Sequence, residues 1–214
     1  MFPAALITLR ETLEASLIIA IILACVEKVE NRKHSIVVWS GVFAGVSVSF
    51  LLALFFESII GGFTGRSEEL YEGSMMLAGS LLLTWMIVWM LKRRKTIRSD
   101  IQQKVQSHLE KEHLIGLFFL ALVSTAREAV ETIIFLKASI LHTNAGMEVF
   151  GGLSGIFVAV CLSYFLFRGI EILPIKKFFT ITSILLMIFA ATLFVHGIEE
   201  FAEAGVFSFS ANGQ

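Results

Sequence analysis

Charged residues are scarce in this chain, and those that occur are clustered rather than evenly spread. Asp, Glu, Lys and Arg together make up 16% of the 214 residues, whereas hydrophobic residues make up 56%. The mean hydropathy is +0.81, and these values exclude an ordinary soluble domain of this length. The apolar runs between the charged clusters are about 20 residues long, enough for a helix to cross a hydrocarbon core of roughly 30 Å.

Cysteine is represented only by Cys25 and Cys161, which lie in apolar surroundings without a CxxC or Cys/His spacing. We expect both to be buried small hydrophobes, and no disulfide framework is indicated.

The chain start lacks a basic region, and Arg10, Glu11 and Glu14 interrupt the first apolar run. We therefore expect this run to be a retained helix rather than a cleavable signal peptide.

The sequence also lacks the motifs of several enzyme classes. It has no Gly-rich phosphate-binding loop, no nucleophile elbow and no zinc-protease helix, so nothing indicates that the chain hydrolyses ATP. We predict that it is not an enzyme and that it has no permanently bound cofactor. The formal net charge of −1 gives no indication of a nucleic-acid partner, and none is predicted.

What remains is a series of long apolar runs without the alternating period of a membrane β-barrel, so helices are expected. The predicted fold class is all-α, a polytopic membrane helix bundle of about six transmembrane helices. The predicted spans are residues 3–26, 36–56, 70–91, 114–141, 149–169 and 178–202. Residues 96–113 are polar and helix-prone, and we expect them to form a cytoplasmic amphipathic helix.

Lys and Arg are concentrated in the first, third and fifth connections between spans, which the positive-inside rule places in the cytoplasm. The even connections carry acidic residues instead, namely Glu57, Glu68, Glu69, Glu72 and Glu148. An interfacial aromatic belt is predicted at the cytoplasmic ends of the spans from Trp39, Trp85 and Trp89. This distribution predicts an N-terminus on the outer side. The short chain without an organelle signal favours a bacterial inner membrane.

One charged motif, Arg-Glu-x-x-Glu, occurs twice within apolar spans. The first copy is Arg10-Glu11-Thr12-Leu13-Glu14 in the first span, and the second is Arg127-Glu128-Ala129-Val130-Glu131 in the fourth. The span after each copy has two glycines four residues apart, Gly41 with Gly45 and Gly151 with Gly155. The chain therefore contains an internal repeat.

The two halves of this repeat must enter the membrane from opposite sides, because each contains an odd number of spans. Such an inverted-topology repeat is used by many secondary transporters to build a site at the interface between the halves. The predicted organisation is a first three-helix repeat over residues 1–95, a cytoplasmic linker over 96–113 and a second three-helix repeat over 114–214.

Each motif would present two carboxylates and one guanidinium over little more than one helical turn. Charges within a span cost a few kcal/mol each, so they should face the bundle interior or an aqueous path. Two facing motifs would offer four carboxylates to a cation, and the candidate metal ligands are Glu11, Glu14, Glu128 and Glu131, supported by Arg10 and Arg127. Carboxylate oxygens suit Fe, Mn, Mg or Ca better than Cu(I). The alternative is that each motif is an internal salt bridge that pins helices together.

Further carboxylates are expected near the outer side. The candidate metal ligands there are Glu72 at the start of the third span and Glu199 and Glu200 at the acidic end of the sixth span. His196 and Glu203 are the supporting residues. These residues could collect cations outside the membrane, or form a solvated helix end. Glu57, Glu68 and Glu69 are expected to be solvated loop charges that could raise the local cation concentration. Glu110 and His113 have a Glu-x-x-His spacing, but they fall in a charged loop and are expected at the surface.

At its two Arg-Glu-x-x-Glu motifs the chain resembles the high-affinity iron permease family, the oxidase-dependent iron transporters of fungi and their bacterial relatives. Tyr71-Glu72-Gly73, which leads into the third span, also resembles a glutamate segment of that family. The resemblance covers almost the whole chain in span order and motif placement. It implies that the motif glutamates bind and pass iron, as Fe(III) or Fe(II), which would be cargo rather than a cofactor.

The resemblance also implies a partner. Fungal members of the family act with a multicopper oxidase, and bacterial members act with periplasmic iron-handling proteins. We therefore expect a periplasmic or extracellular iron-oxidising or iron-delivering partner, besides the metal cation and the lipid bilayer, and a homo-oligomer is left open. The family typically has seven spans and a cytoplasmic C-terminus. This sequence ends soon after its sixth predicted span, as expected of a truncated chain or a six-span variant.

Two other functions fit the same residues. One is a divalent-cation or lead permease that uses the same carboxylates. The other is a non-transporting membrane sensor or assembly subunit, in which the Arg–Glu pairs act as structural clasps. A membrane-embedded di-iron oxidase is disfavoured, because its Glu-x-x-His pairs should lie inside the spans.

Overall fold

The computed structural model describes residues 1–27, 32–60, 65–93, 97–110, 113–140, 145–167 and 175–206. Seven helices account for the regular secondary structure of these ranges, with no strand among them. In chain order they are α1 (Phe2–Glu27), α2 (Arg32–Ile60), α3 (Arg66–Arg93), α4 (Ile97–Glu110), α5 (Leu114–Ile140), α6 (Ala145–Phe167) and α7 (Ile175–Glu203).

Each of the six predicted spans coincides with one of these helices, and no helix end differs from the prediction by more than four residues. The predicted polar helix within residues 96–113 is α4. The prediction of helices rather than strands is therefore confirmed, because long apolar runs without alternation can satisfy their backbone groups internally only as helices.

Four of the helices within the described residues are long and apolar enough to cross a membrane, namely α2, α3, α6 and α7. Within their apolar windows, only 28–39% of the residues are buried inside the protein. Large side chains such as Phe43, Trp85 and Phe157 are at least 68% exposed. Soluble proteins rarely expose so large an apolar surface to water. The chain is therefore an integral membrane protein. The prediction of six spans stays a prediction for α1 and α5, which carry the charged motifs.

The helices are arranged around a contact between α1 and α5. The three most extensive helix pairs are α1 with α6, α2 with α5, and α3 with α7. One apolar core joins α1, α3, α5 and α7, where Ile7, Ile87, Phe135 and Leu186 are almost fully enclosed. The two motif-bearing helices therefore lie inside the bundle, with α2, α3, α6 and α7 packed around them.

Glycine allows the closest approaches between helices. A Cβ at Gly45 of α2 would lie 2.8 Å from the carbonyl oxygen of Leu122 on α5. A Cβ at Gly155 of α6 would meet the carbonyl oxygen of Ala5 on α1 at an even shorter distance. One turn earlier, the same kind of backbone contact is made by Gly41 and Gly151. Small residues bring helix backbones together in this way in membrane proteins.

The polar helix α4 is amphipathic, and its apolar face is not solvated. Val105 is fully buried and belongs to an apolar cluster with Ile22, Val38 and Leu117, which lie on α1, α2 and α5. The His108 ring fills the space beside Gly116 of α5. The polar helix α4 is therefore packed against α1 and α5.

Two sequence expectations were wrong. Cys161 is exposed rather than buried, because apolar side chains of a membrane helix can face lipid as well as the protein interior. Glu148 was expected in an outer connection, but it lies in the first turn of α6 and is fully buried. There it pairs with the α-amino group of Met1 and accepts a hydrogen bond of 3.1 Å from Ser139 Oγ.

Candidate metal site

The two charged motifs meet where α1 contacts α5. Glu11 comes from α1, and Glu128 and Glu131 come from α5. One carboxylate oxygen from each of these three residues lies within 4.8 Å of the others. Glu11 is 1% and Glu128 is 5% exposed, whereas the Glu131 side chain is 21% exposed, so the group is enclosed by protein except at Glu131. Among the described residues, no other set of three acidic, His or Cys side chains converges as closely.

The first motif is held together by Arg10, which is fully buried. Arg10 Nη1 lies 3.0 Å from Glu11 Oε1, and Arg10 Nη2 lies 3.0 Å from Glu14 Oε1. Nη2 also lies 2.8 Å from the Met90 sulfur on α3. Glu14 is thereby paired with Arg10 beside the three converging carboxylates, and it is not a member of that compact group.

The second motif is arranged differently. Arg127 Nε donates a hydrogen bond of 2.8 Å to Glu131 Oε1, one helical turn away. The guanidinium carbon lies 4.6 Å from the centre of the Trp89 ring on α3, in a cation–π stack. The Arg127 side chain is 45% exposed and borders a cavity of about 370 Å³ between α3 and α5. The cavity is otherwise lined by Leu82, Trp85, Met86, Trp89, Glu131, Ile134 and Phe135.

The charges of the two motifs do not cancel. Two arginines face four glutamates, which leaves a formal charge of −2 when all six groups are ionised. Two buried oxygens, Glu11 Oε2 and Glu131 Oε2, have no arginine, hydroxyl or amide donor among the described residues, although the Glu11 and Glu128 carboxyl groups are close enough to share a proton. An unsatisfied buried carboxylate oxygen costs about 1–3 kcal/mol or more. A cation among the three carboxylates would satisfy these oxygens and neutralise the excess charge.

The outer acidic residues are brought near one another but do not form a comparable group. The start of α3 meets the end of α7 at Gly73, where a Cβ would lie 3.0 Å from the carbonyl oxygen of Gly197 and 3.1 Å from Glu200 Cβ. Glu72 and Glu200 are close enough for their negative charges to interact. Glu199 and Glu203 are exposed, as expected of a solvated helix end.

His196 is positioned by its own helix. Its Nδ1 donates to the Thr192 carbonyl oxygen at 2.7 Å, and its Nε2 lies 3.9 Å from Glu199 Oε2. Glu68 and Glu69 lie in the first turn of α3, where negative charges suit the helix dipole. His113 is exposed just before α5, as predicted, whereas the side chains of Glu57 and Glu110 lie outside the described residues.

Two residues next to the site were missed or misjudged from the sequence. Met90 carried no signal, because an apolar side chain in an apolar span does not reveal that it touches a guanidinium. Trp89 was expected only in an interfacial belt, whereas its ring lies against Arg127. Both are on α3, and only the packing of α3 against α1 and α5 brings them to the motifs.

Comparisons with known proteins identify the family and relatives of the chain. The model of the iron permease FTR1 family matches residues 1–213. The chain is 31% identical over 210 residues to the ferrous iron permease EfeU of Shigella sonnei, a match that covers 97% of this chain and 76% of the relative. The EfeU of Yersinia pestis is 28% identical over 210 residues, a match that covers 97% of this chain and 74% of the relative. A protein of Escherichia coli (strain K12), also 31% identical with 97% and 76% coverage, is named as an inactive form of that permease. No solved structure matches the chain significantly.

Proposed function

The chain belongs to the iron permease FTR1 family, and from that membership we propose that it is a membrane permease importing iron along a carboxylate-lined path. The path would pass between α1 and α5, and its central site would be built by the two Arg-Glu-x-x-Glu motifs. Relatives of the chain are named as ferrous iron permeases, which supports iron as the cargo. The chain would then act as a transporter rather than an enzyme.

The observation that carries this proposal is the convergence of Glu11, Glu128 and Glu131 within 4.8 Å. Three carboxylates this close repel one another strongly in a low-dielectric interior. A hard cation removes that repulsion and is bound by the oxygen ligands it prefers. In a non-transporting protein whose Arg–Glu pairs are clasps, the carboxylate oxygens should be satisfied by the arginines. Glu11 Oε2 and Glu131 Oε2 are not, and this favours a cation site over the clasp alternative.

The six-span, inverted-repeat architecture is part of the proposal. It is supported by the glycine contacts, which occur at equivalent places in the two halves. Ala5, which meets Gly155, lies five residues before Arg10, and Leu122, which meets Gly45, lies five residues before Arg127. Each motif helix thus crosses the second helix of the opposite half. An interface of that kind is where repeat-built transporters place their ion site.

The proposed location rests on the charge distribution, and the proposed partner rests on the family. Lys and Arg in the first, third and fifth connections support an N-terminus outside a bacterial inner membrane. The acidic ends of α3 and α7 would then face outward, where Glu72, Glu199, Glu200 and Glu203 could receive iron from an iron-oxidising or iron-delivering protein. His196 would support that outer group. These carboxylates would raise the cation concentration at the mouth of the path.

The experiment is iron import by living cells. A bacterial strain that lacks its own iron importers would express the unaltered chain or its Glu128→Gln variant, and accumulation of radioactive iron would be measured at matched protein levels in the membrane. Glu27→Gln changes an exposed carboxylate at the end of α1, outside the proposed path, and is the control. Import that depends on Glu128 is expected. Equal import by the unaltered chain and Glu128→Gln would contradict the proposed site. Accumulation of Pb²⁺ rather than iron would favour the lead-permease alternative.

A further inference from the structure

The two arginines of the motifs occupy the same motif position but have different surroundings. Arg10 is fully buried, whereas Arg127 is 45% exposed. Arg10 bridges both carboxylates of its own motif, while the ion pair of Arg127 is with Glu131 alone. The sequence repeat therefore does not produce two equivalent half-sites.

Arg10 is buried and held by three contacts. Its Nη atoms lie 3.0 Å from Glu11 Oε1 and from Glu14 Oε1, and Nη2 lies 2.8 Å from the Met90 sulfur. If Arg10 left this place, Glu14 would keep a buried charge without a partner, which is strongly unfavourable in a membrane interior. Arg10 is a fixed counter-ion.

Arg127 has both room to move and a second favourable position. It borders the cavity of about 370 Å³ between α3 and α5. Its guanidinium already stacks on the Trp89 ring at 4.6 Å, so it remains stabilised when its carboxylate partner changes. The Trp89 indole is an uncharged binding surface for the Arg127 guanidinium. Because the indole has no negative charge, it does not compete with the carboxylates for iron.

Glu131 pairs with Arg127 and also belongs to the group of carboxylates that would bind iron. Its Oε1 is bonded to Arg127 Nε at 2.8 Å, and its carboxylate is one of the three that converge with Glu11 and Glu128. An iron ion bound through the unpaired Glu131 Oε2 would share the charge of this carboxylate and repel the guanidinium, which weakens the Arg127–Glu131 pair. The free energy of that step sets how tightly the site binds iron and how readily it releases it.

We propose that Arg127 is the displaceable counter-ion of the metal site and that Trp89 is its positioning residue. This inference rests on the proposed function. Without a cation, Arg127 neutralises Glu131. When a cation arrives, the guanidinium moves off the carboxylate and stays over the Trp89 ring, beside the cavity. Without the ring, Arg127 would remain on Glu131 and compete with the cation.

The first test is equilibrium iron binding to the purified full-length chain in detergent. The cation–π contact is present both before and after displacement, so only its strengthening once Arg127 no longer pairs with Glu131 favours the iron-bound state. Trp89→Leu should therefore weaken iron binding about two- to threefold, less than the loss of a whole cation–π contact. Trp89→Phe retains an aromatic face and should recover most of the affinity. Trp85→Leu is the matched control, because Trp85 lines the same cavity one turn earlier, and it should bind iron as the unaltered protein does.

The second test separates positioning from general structural support. In an Arg127→Gln background nothing competes for Glu131, so adding Trp89→Leu should cause no further loss of affinity. An equal loss in both backgrounds would overturn the proposal, as would an unchanged affinity in Trp89→Leu alone. If the unaltered chain binds no iron, the proposed function itself fails. If it binds iron and only the Trp89 effects are missing, this inference alone fails.

A third measurement leaves Trp89 in place and covers the case in which Trp89→Leu does not fold. In a Trp39→Phe/Trp85→Phe chain, Trp89 is the only tryptophan. Its emission maximum should shift during an iron titration and saturate together with binding, and the shift should be absent when Arg127→Gln is added. A maximum that does not move while iron binds would contradict the displacement of Arg127.

Discussion

Arg10 Nη2 lies 3.0 Å from Glu14 Oε1, one helical turn further along α1. The Arg10 side chain is fully buried, and the Glu14 side chain is 17% exposed. The same guanidinium reaches Glu11, a member of the converging carboxylate group. The first motif is therefore a closed ion network that contributes one carboxylate to the site and keeps another paired. The second motif contributes two carboxylates and leaves its arginine at a cavity.

Replacing Arg10 should damage folding much more than replacing Arg127. Arg10→Gln leaves Glu11 and Glu14 without their shared counter-ion in a buried site, a change that costs about 3–5 kcal/mol. Arg127→Gln breaks a half-exposed pair, which is worth about 1 kcal/mol or less. Thermal unfolding of the purified proteins in one detergent compares them directly. Similar losses of stability in the two variants would contradict the difference in burial described above.

The carboxylates should contribute unequally to iron affinity. Glu128→Gln or Glu131→Gln removes an anionic ligand from the converging group and should weaken iron binding at least tenfold, or about 1.4 kcal/mol. Glu14→Gln should have a smaller effect, because Glu14 is paired with Arg10 outside that group. Equilibrium iron binding provides the comparison, with Glu27→Gln as the exposed control. A Glu14→Gln loss as large as that of Glu131→Gln would show that the cation binds closer to the first motif.

The glycine crossings should be sensitive to a single methyl group. Gly155→Ala would place a Cβ against the Ala5 carbonyl oxygen, and because the clash is with backbone, the helices must separate. We expect a loss of roughly 1–3 kcal/mol, as for overpacked interiors. Gly152→Ala is a matched control on the same helix, since its Cβ would lie 3.5 Å from the Thr8 methyl group, an ordinary contact. Thermal unfolding in detergent measures both, and equal stability of the two variants would contradict the packing of α6 on α1.

Hard metal ions should compete with iron for this site better than soft metal ions do, because its ligands are hard carboxylate oxygens. The converging ligands are carboxylate oxygens, so an excess of Mn²⁺ should reduce iron uptake more than an equal excess of Cu(I). Uptake of radioactive iron into cells that express the chain, measured with each competitor, tests this order. Stronger inhibition by Cu(I) would indicate that a sulfur atom, such as that of Met90, takes part in binding.

The helices and the motifs were predictable because their signals are local. Runs of about 20 apolar residues between charged clusters predict α1 to α3 and α5 to α7, since each run must satisfy its own backbone hydrogen bonds in lipid. Within one helix, the spacing of Arg10 and Glu14 or of Arg127 and Glu131 is sufficient to predict the ion pairs that are observed.

The unequal environments of the two motifs were not predictable, because they depend on contacts between distant segments. Nothing local to Trp89 or Met90 reveals which motif each will touch; that depends on the packing of α3 beside α1 and α5. Likewise, the burial of Val105 in α4 and of Glu148 in α6 depends on neighbouring helices. The sequence repeat suggested equivalent motifs, whereas packing against a single helix, α3, makes them different.

The most direct measurement is iron uptake by liposomes that contain only the purified chain, because no other cellular protein can then carry the cation. The unaltered chain would be compared with its Glu11→Gln/Glu128→Gln double variant, after both are shown to be folded and inserted to the same extent. The proposed function predicts radioactive iron uptake by the unaltered chain and none above empty liposomes by the variant. Uptake at the same rate by both would contradict a path through these carboxylates.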